Sequence, residues 1–157
     1  MITNNDIADA VEALVRRTFP GEPVYRGYVP TGFQRPSNLV EIAGGEFNPN
    51  ASCGAVELRP WVTLTTFVEV DSYHQPKDNQ DLTRRQMRLM GLFLSGFIKV
   101  KDRAPHVLDK GEMENGLDYA AITVPLSYTL DRREFMELQQ TPDMGTLHIR
   151  QEVTTNG

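Results

Sequence analysis

The chain has 157 residues, of which 39% are hydrophobic and 24% charged, and 16 basic against 21 acidic residues give a net charge of −5 at pH 7. These values are typical of an ordinary globular domain. The acidic balance argues against a protein whose task is to grip phosphate, and no apolar run approaches the ~18 residues that a membrane helix needs.

The single cysteine, Cys53, excludes an intrachain disulfide and any multi-cysteine zinc site, and it indicates a reducing compartment. The first residues show no basic stretch followed by an apolar one, so we expect no signal peptide. The length predicts a single domain over residues 1–157.

The first part of the chain predicts a helix and then two strands. Thr3 and Asp6 fit a capping box, apolar residues recur at helical spacing after them, and Phe19-Pro20-Gly21 ends the pattern. The helix is therefore predicted over 4–18. Extended segments follow at 24–29 and 39–43, and the Gly- and Asn-rich stretch 44–54 is either a flexible loop or a hairpin arm.

Residues 56–70 carry the longest strand pattern. Even positions are mostly apolar and odd positions mostly polar, as expected for a strand with one buried face. Trp61 and Phe67 fall on the polar face, which predicts that something covers part of it. Pro60 cannot donate a ladder hydrogen bond and indicates a sheet edge or a bulge.

The second half predicts a helix and then more strands. After a polar loop at 71–81, residues 82–97 have helical periodicity, and Arg84, Arg85 and Arg88 lie largely off the apolar stripe. That stripe consists of Leu82, Gln86, Leu89, Met90, Phe93, Leu94 and Phe97. After this helix, the sequence predicts a weak strand at 106–108, a polar turn at 109–116 and a strand at 118–130. Pro125 in that strand is a second sign of a sheet edge or a bulge. The last predicted segments are a polar stretch at 131–144 with room for a helical turn, a strand at 147–153 and a frayed end at 154–157.

This order of elements predicts an α+β fold, in which two helices pack on one face of a mostly antiparallel sheet of four to six strands.

The sequence offers no convincing catalytic or metal-binding set. His74, His106 and His148 fall in different predicted elements, and the loop of Cys53 contains no histidine to act as its base. His74 and Asp78 share a loop that we interpret as solvated rather than as a cation site. We therefore expect no catalytic residue, no metal, no cofactor and no enzymatic activity.

Five residues are better candidates for an interface. Arg84, Arg85 and Arg88 crowd a helix whose early turns disfavour cations, so they either form a solvated face, meet carboxylates of a neighbouring subunit or touch nucleic acid. Phe47 and Tyr73 lie in predicted loops, where an exposed aromatic residue is typical of a partner contact and packing onto the same domain is the alternative.

The pattern of the whole chain resembles the tail-terminator (tail-completion) proteins of long-tailed bacteriophages. The similarity consists of the amphipathic start, Phe19-Pro20, Val24-Tyr25, Gly32-Phe33 with Pro36, and the strand at 39–42. It continues with a long strand ending near Tyr73, a helix carrying Leu89, Met90 and Phe93, and paired strands with Tyr119 and Tyr128. Ser37-Asn38 depart from the family, whose members often have apolar or aromatic residues there.

The resemblance implies a structural virion protein of the tail or neck, assembled in the host cytoplasm. Such proteins form a homohexameric ring that caps the tail tube and joins it to the head connector. The implied partners are further copies of the chain, the tail tube protein, the connector or neck protein, and genomic DNA that passes through the lumen without specific binding. No membrane partner is implied.

Two alternatives remain open at this stage. One is a neck or head–tail adaptor, or another tail-associated subunit, which shares the ring logic and differs in its partner. The other is a small intracellular ligand-binding domain, which should contain one concave apolar pocket.

Overall fold

The computed structural model describes residues 1–139, so the predicted strand at 147–153, His148 and the frayed end at 154–157 lie outside the described part of the chain. Within it, the elements in chain order are α1 (Asn4–Thr18), β1 (Val24–Arg26), β2 (Ser37–Ser52), β3 (Ala55–Phe67), α2 (Asn79–Gly91), β4 (His106–Val107), β5 (Glu112–Asn115), β6 (Tyr119–Asp131) and α3 (Arg132–Gln139).

The strands form one mixed six-stranded sheet that does not close. Its order is β1-β2-β3-β6-β4, and β5 also pairs with β6. β1 runs parallel to β2, with Tyr25 opposite Leu39, whereas β4 and β5 run antiparallel to β6. The predicted α+β fold with two helices on a sheet is confirmed, and α3 occupies part of the segment where a helical turn was expected.

The chain folds into two compact units. The first, called the main unit here, comprises Ile2–Glu46 and Arg59–Tyr128. The second comprises Met1, Phe47–Leu58 and, among the described residues, Thr129–Gln139. β2, β3 and β6 each contribute residues to both units. The expectation of a single domain stays a prediction.

The predicted capping box begins α1. The Asp6 backbone N–H donates to Thr3 Oγ1 (3.3 Å), and the Thr3 backbone N–H donates to Asp6 Oδ2 (2.9 Å). That backbone hydrogen bond, followed by the contact with Lys101, lowers the pKa of Asp6. The predicted helix bounds, 4–18, are confirmed.

The predicted bounds of the second helix, 82–97, are wrong at both ends. α2 begins at Asn79 because the Asp78 carboxylate caps it and accepts the Gln80 N–H at 2.9 Å. It ends at Gly91, after which backbone hydrogen bonds of the i→i+3 type form tight turns. Two residues of the predicted buried stripe are therefore exposed, Leu94 at 86% and Phe97 at 45%.

Of the two alternatives for residues 44–54, a flexible loop or a hairpin arm, the hairpin arm is confirmed. β2 runs to Ser52 and β3 starts at Ala55, so only Cys53 and Gly54 form the turn, and Gly54 takes a φ of +82° there.

The predicted polar turn at 109–116 is wrong, because β5 lies within it. Glu112 to Asn115 have modest β-propensity, and pairing with β6 supplies the order that the local sequence lacks.

Both prolines that indicated an edge lie in interior strands, so the edge alternative is wrong for Pro60 in β3 and for Pro125 in β6. For Pro125 the reason is visible. β4 pairs with residues 126–127 of β6 and β5 with residues 120–123, so the missing N–H falls at the break between the two strands.

The core of the main unit lies between the helices and one face of the sheet. α1 contributes residues such as Val11, and α2 contributes Leu89. The sheet contributes even positions of β3 and β6 that lie within the main unit, including Leu64 and Leu126, which are at most 1% exposed. The alternation predicted for these strands thus places the correct residues in the core.

Gly45 gives a direct test of the strand packing in the main unit. A Cβ at Gly45 would lie 2.5 Å from the Arg59 carbonyl oxygen, which belongs to the backbone and cannot turn away. We expect Gly45→Ala to lower the free energy of unfolding by about 1–3 kcal/mol, measured by urea denaturation.

Gly91→Ala is the matched control, because a Cβ there meets nothing within 4 Å. It should leave the stability unchanged or raise it by up to about 1 kcal/mol. Equal destabilisation by both variants would contradict the close packing at Gly45.

Candidate interaction surfaces

Arg85 is buried, so its predicted position off the apolar stripe of the helix is wrong. Its side chain is 7% exposed and lies beneath α2, where Nε donates to Thr66 Oγ1 at 2.7 Å. Nη1 donates to Glu22 Oε2 at 3.0 Å, and Nη2 donates to Glu22 Oε1. The guanidinium also stacks over Phe19, 4.3 Å from the ring centroid. Arg85 therefore has no surface to offer a second subunit.

The two neighbouring arginines are exposed, as predicted. Arg84 donates to Asp78 Oδ2 at 2.8 Å, and this contact with the helix cap helps to lower the pKa of Asp78, after the larger effect of the Gln80 backbone N–H. Arg88 has no carboxylate partner among residues 1–139. It donates to the Thr18 carbonyl (2.5 Å) and thereby satisfies an end group of α1.

Tyr73 stands at the tip of an ordered loop, residues 69–77, and is 84% exposed. The Asp71 carboxylate accepts the backbone N–H groups of Tyr73 and Gln75 at 2.9 and 3.0 Å. A β-bridge between Val70 and Pro76 closes the base of the loop. These hydrogen bonds and the β-bridge hold the loop in one conformation, in which the Tyr73 ring is exposed to solvent, as expected for a contact residue.

His74, next to Tyr73 in that loop, forms a charge cluster with Arg35 and Asp118. Asp118 Oδ2 accepts Arg35 Nη2 at 2.6 Å and lies 3.1 Å from His74 Nε2. Partial burial acts to raise the pKa of Asp118, but the hydrogen bond and charge of Arg35 outweigh it, with help from His74, and the net pKa lies below the ordinary value. His74 thus pairs with Asp118 and not with Asp78, its predicted loop neighbour.

An aromatic row crosses the sheet face opposite the helices. Phe33 lies 4.7 Å from Phe67 between ring centroids, Phe67 lies 6.4 Å from Tyr119, and Arg35 stacks over Phe33 at 4.7 Å. The segment before β2 therefore covers Phe67, which confirms the prediction that part of this face is covered. Trp61 stays 38% exposed.

Phe47 belongs to the second unit and is 70% exposed, so it is available to a partner. Within this unit, Arg132 Nη2 donates to the Pro49 carbonyl at 3.0 Å, and the Arg132 backbone N–H donates to the Gly54 carbonyl at 2.7 Å. The start of α3 therefore holds the hairpin on which Phe47 is displayed. The partner role of Phe47, Tyr73, Arg84 and Arg88 stays a prediction.

β5 forms an exposed sheet edge that the sequence analysis missed. All four of its residues are exposed, and the edge carries Glu112 and Glu114 on one face and Met113 on the other. Met113 lines an apolar groove of about 230 Å³ with Met90, Phe93 and Ile122. Alternating Glu and Met gave no strand signal, because a charged residue at every second position is equally typical of a polar turn.

The described residues show little that favours catalysis. Among residues 1–139, no three His, Cys, Asp or Glu side chains cluster so that they could hold a metal ion. Cys53 is exposed in the hairpin turn.

None of the helices in this part of the chain is long and apolar enough to cross a membrane.

Comparison with known proteins adds no family. Neither the protein-family models nor the curated proteins contain a match to this sequence.

The buried hydrogen bonds of Arg85 predict that replacing Arg85 destabilises the protein, whereas replacing its neighbour Arg84 does not. Arg85→Met leaves the largely buried Glu22 carboxylate without its partner, so the free energy of unfolding should fall by about 2–4 kcal/mol in denaturant titration. Arg84→Met, whose exposed ion pairs are worth little, should change it by less than about 0.5 kcal/mol.

Adding Glu22→Gln to Arg85→Met should restore part of the loss, since the unpaired charge is then removed. If Arg84→Met and Arg85→Met destabilise the protein equally, the central role of the cluster is wrong.

The Asp118 cluster predicts a pH-dependent contribution to stability. Because the folded state lowers the pKa of Asp118, its contribution is complete above the ordinary carboxyl pKa of about 3.9 and is lost as the pH falls through the lower folded value. We expect Asp118→Asn to cost about 1–2 kcal/mol at pH 7, and the difference from the wild type to shrink at pH 3.

Asp109→Asn is the control, since this exposed carboxylate has no ion pair among the described residues. Urea titrations at both pH values measure the difference. A loss for Asp118→Asn that is the same at pH 3 and pH 7 would contradict the assignment.

Proposed function

We propose that the chain is a non-enzymatic virion protein, a tail terminator that forms a ring on the tail tube of a long-tailed bacteriophage and joins the tube to the head connector. The observation that carries the proposal is the chemical difference between the two ends of the open sheet. A ring of identical subunits needs two unlike, complementary surfaces on each copy.

At the β1 end, Arg26 of β1 pairs with Asp9 and Glu12 of α1, and Arg16 of α1 also pairs with Glu12. A groove of about 390 Å³ runs there, lined by Glu12, Arg16, Val24, Tyr25, Arg26, Tyr28 and Pro30. At the β5 end, the strand carries two carboxylates and an exposed methionine. The exposed aromatic residues Tyr73 and Phe47 provide further contact points for the tube or the connector.

A neck or head–tail adaptor fits the same ring logic and differs only in which partner it binds. The ligand-binding alternative has weaker support. The apolar groove beside Met113 is smaller than the ~300–1,000 Å³ of typical ligand sites. The groove at the β1 end is large enough, but three of its seven lining residues, Glu12, Arg16 and Arg26, are charged and already pair with carboxylates or arginines of the chain.

Tail tube assembly tests the proposal. The tube protein of the same phage is polymerised with and without the purified chain, and tube lengths are measured in electron micrographs. We expect the chain to stop elongation and to form a ring at one tube end. An adaptor would bind the connector and leave tube length unchanged.

Heat-unfolded protein at the same concentration is the control for nonspecific effects. Binding to neither the tube nor the connector would contradict both phage proposals and would direct attention to the ligand-binding alternative.

A further inference from the structure

The unpaired charges of the main unit are not evenly distributed. Most of its arginines already have carboxylate partners within the chain, among them Arg26 with Asp9 and Arg35 with Asp118. Two exposed guanidinium groups, those of Arg17 and Arg88, have none among the described residues. We call these two residues the α1-end arginines.

The α1-end arginines lie close together. Arg17 is in the last turn of α1, and Arg88 reaches across from α2 to donate to the carbonyl of the next residue, Thr18. Arg88 also stacks over Phe19, 4.9 Å from the ring centroid, so both residues lie at the C-terminal end of α1. α1 in turn contacts β1, the first strand of the sheet, and Arg26 of β1 pairs with Asp9 of α1.

The β5 edge carries the complementary charges. Glu112 and Glu114 are exposed and have no cation partner among residues 1–139. The Gly116 N–H donates to the Tyr119 carbonyl, and in an antiparallel pair only every second residue makes such hydrogen bonds. The backbone N–H and C=O groups of Met113 and Asn115 therefore point away from β6. Exposed apolar side chains adjoin the charges, with Met113 at 59% and Leu117 at 57%.

On α2, Arg88 reaches α1, whereas Gln86 of the same helix faces β5 and donates to the Glu114 carbonyl at 3.3 Å. Within one copy, no ion pair among residues 1–139 therefore joins these two features. A second copy can join them. We infer that the β5 edge of one copy docks against the α1-end arginines of the next copy, with Glu112 and Glu114 facing Arg17 and Arg88. This inference rests on the proposed function, since it names the contact that repeats around the ring.

The two parts of the edge have different tasks in this contact. Ion pairs at the rim of an interface mainly set orientation and association rate, whereas buried apolar side chains supply affinity. Met113 and Leu117 therefore provide the area, and the charges select the partner surface. Repulsion between carboxylates also opposes the pairing of two β5 edges with each other, so head-to-tail contact is favoured over sheet-to-sheet pairing.

A charge-swap experiment tests the contact. The edge variant carries Glu112→Lys and Glu114→Lys, and the arginine variant carries Arg17→Glu and Arg88→Glu. Sedimentation velocity over a concentration series gives the midpoint of assembly for each protein. We expect each variant alone to need at least about tenfold more protein than the wild type, because like charges now face each other.

The equimolar mixture of the two variants should assemble near the wild-type midpoint. In the mixture, the reversed edge of one variant meets the reversed α1 end of the other, and the unchanged surfaces meet each other. This recovery also shows that both variants are folded. If the arginine variant does not fold, Arg17→Glu alone replaces it, because Arg17 makes no hydrogen bond or ion pair with the described residues.

The control is Glu41→Lys with Glu46→Lys, which makes the same change of charge on β2 and should leave the midpoint unchanged. If the wild type assembles and the edge variant assembles equally well, the contact is wrong and the ring proposal stands. A folded mixture that does not recover also overturns the contact. If the wild type never assembles, with or without tube protein, both proposals fail.

Discussion

The structure of the main unit depends on one buried guanidinium. Arg85 joins α2 to the Glu22 carboxylate after α1, to Thr66 on β3 and to the Phe19 ring, so a single side chain fixes both helices and the sheet. A buried charge is costly unless its donors find partners, and all three guanidinium nitrogens of Arg85 donate a hydrogen bond.

This arrangement leaves the two ends of the sheet free for other purposes. α1 and its arginines lie at the β1 end, whereas β5 closes the other end with carboxylates and an exposed methionine. A sheet with unlike ends suits repeated head-to-tail contact, which closes into a ring when the rotation between copies allows it. The ordered Tyr73 loop and the Phe47 hairpin then remain for partners other than the neighbouring copies.

The sequence was informative where one local pattern dominated. The capping box at Thr3 located α1, and the alternation in β3 identified its buried face, because neither depends on distant residues. Prediction from the sequence failed where contacts between distant residues decide which side chains are buried or which segments form strands. Nothing local distinguishes the buried Arg85 from the exposed Arg84, since the Glu22 carboxylate lies 63 positions from Arg85. β5 was missed because its strand character comes from β6.

The central claim is that copies of this chain associate into a closed ring. The most direct measurement is the mass of the purified protein by light scattering over a range of protein and salt concentrations. We predict a monomer that gives way, as concentration rises, to one species of about six times the 17.7 kDa chain mass, and less readily at high salt. Open-ended polymers without a fixed mass, or a strict monomer that also forms no ring when tube protein is added, would contradict the account.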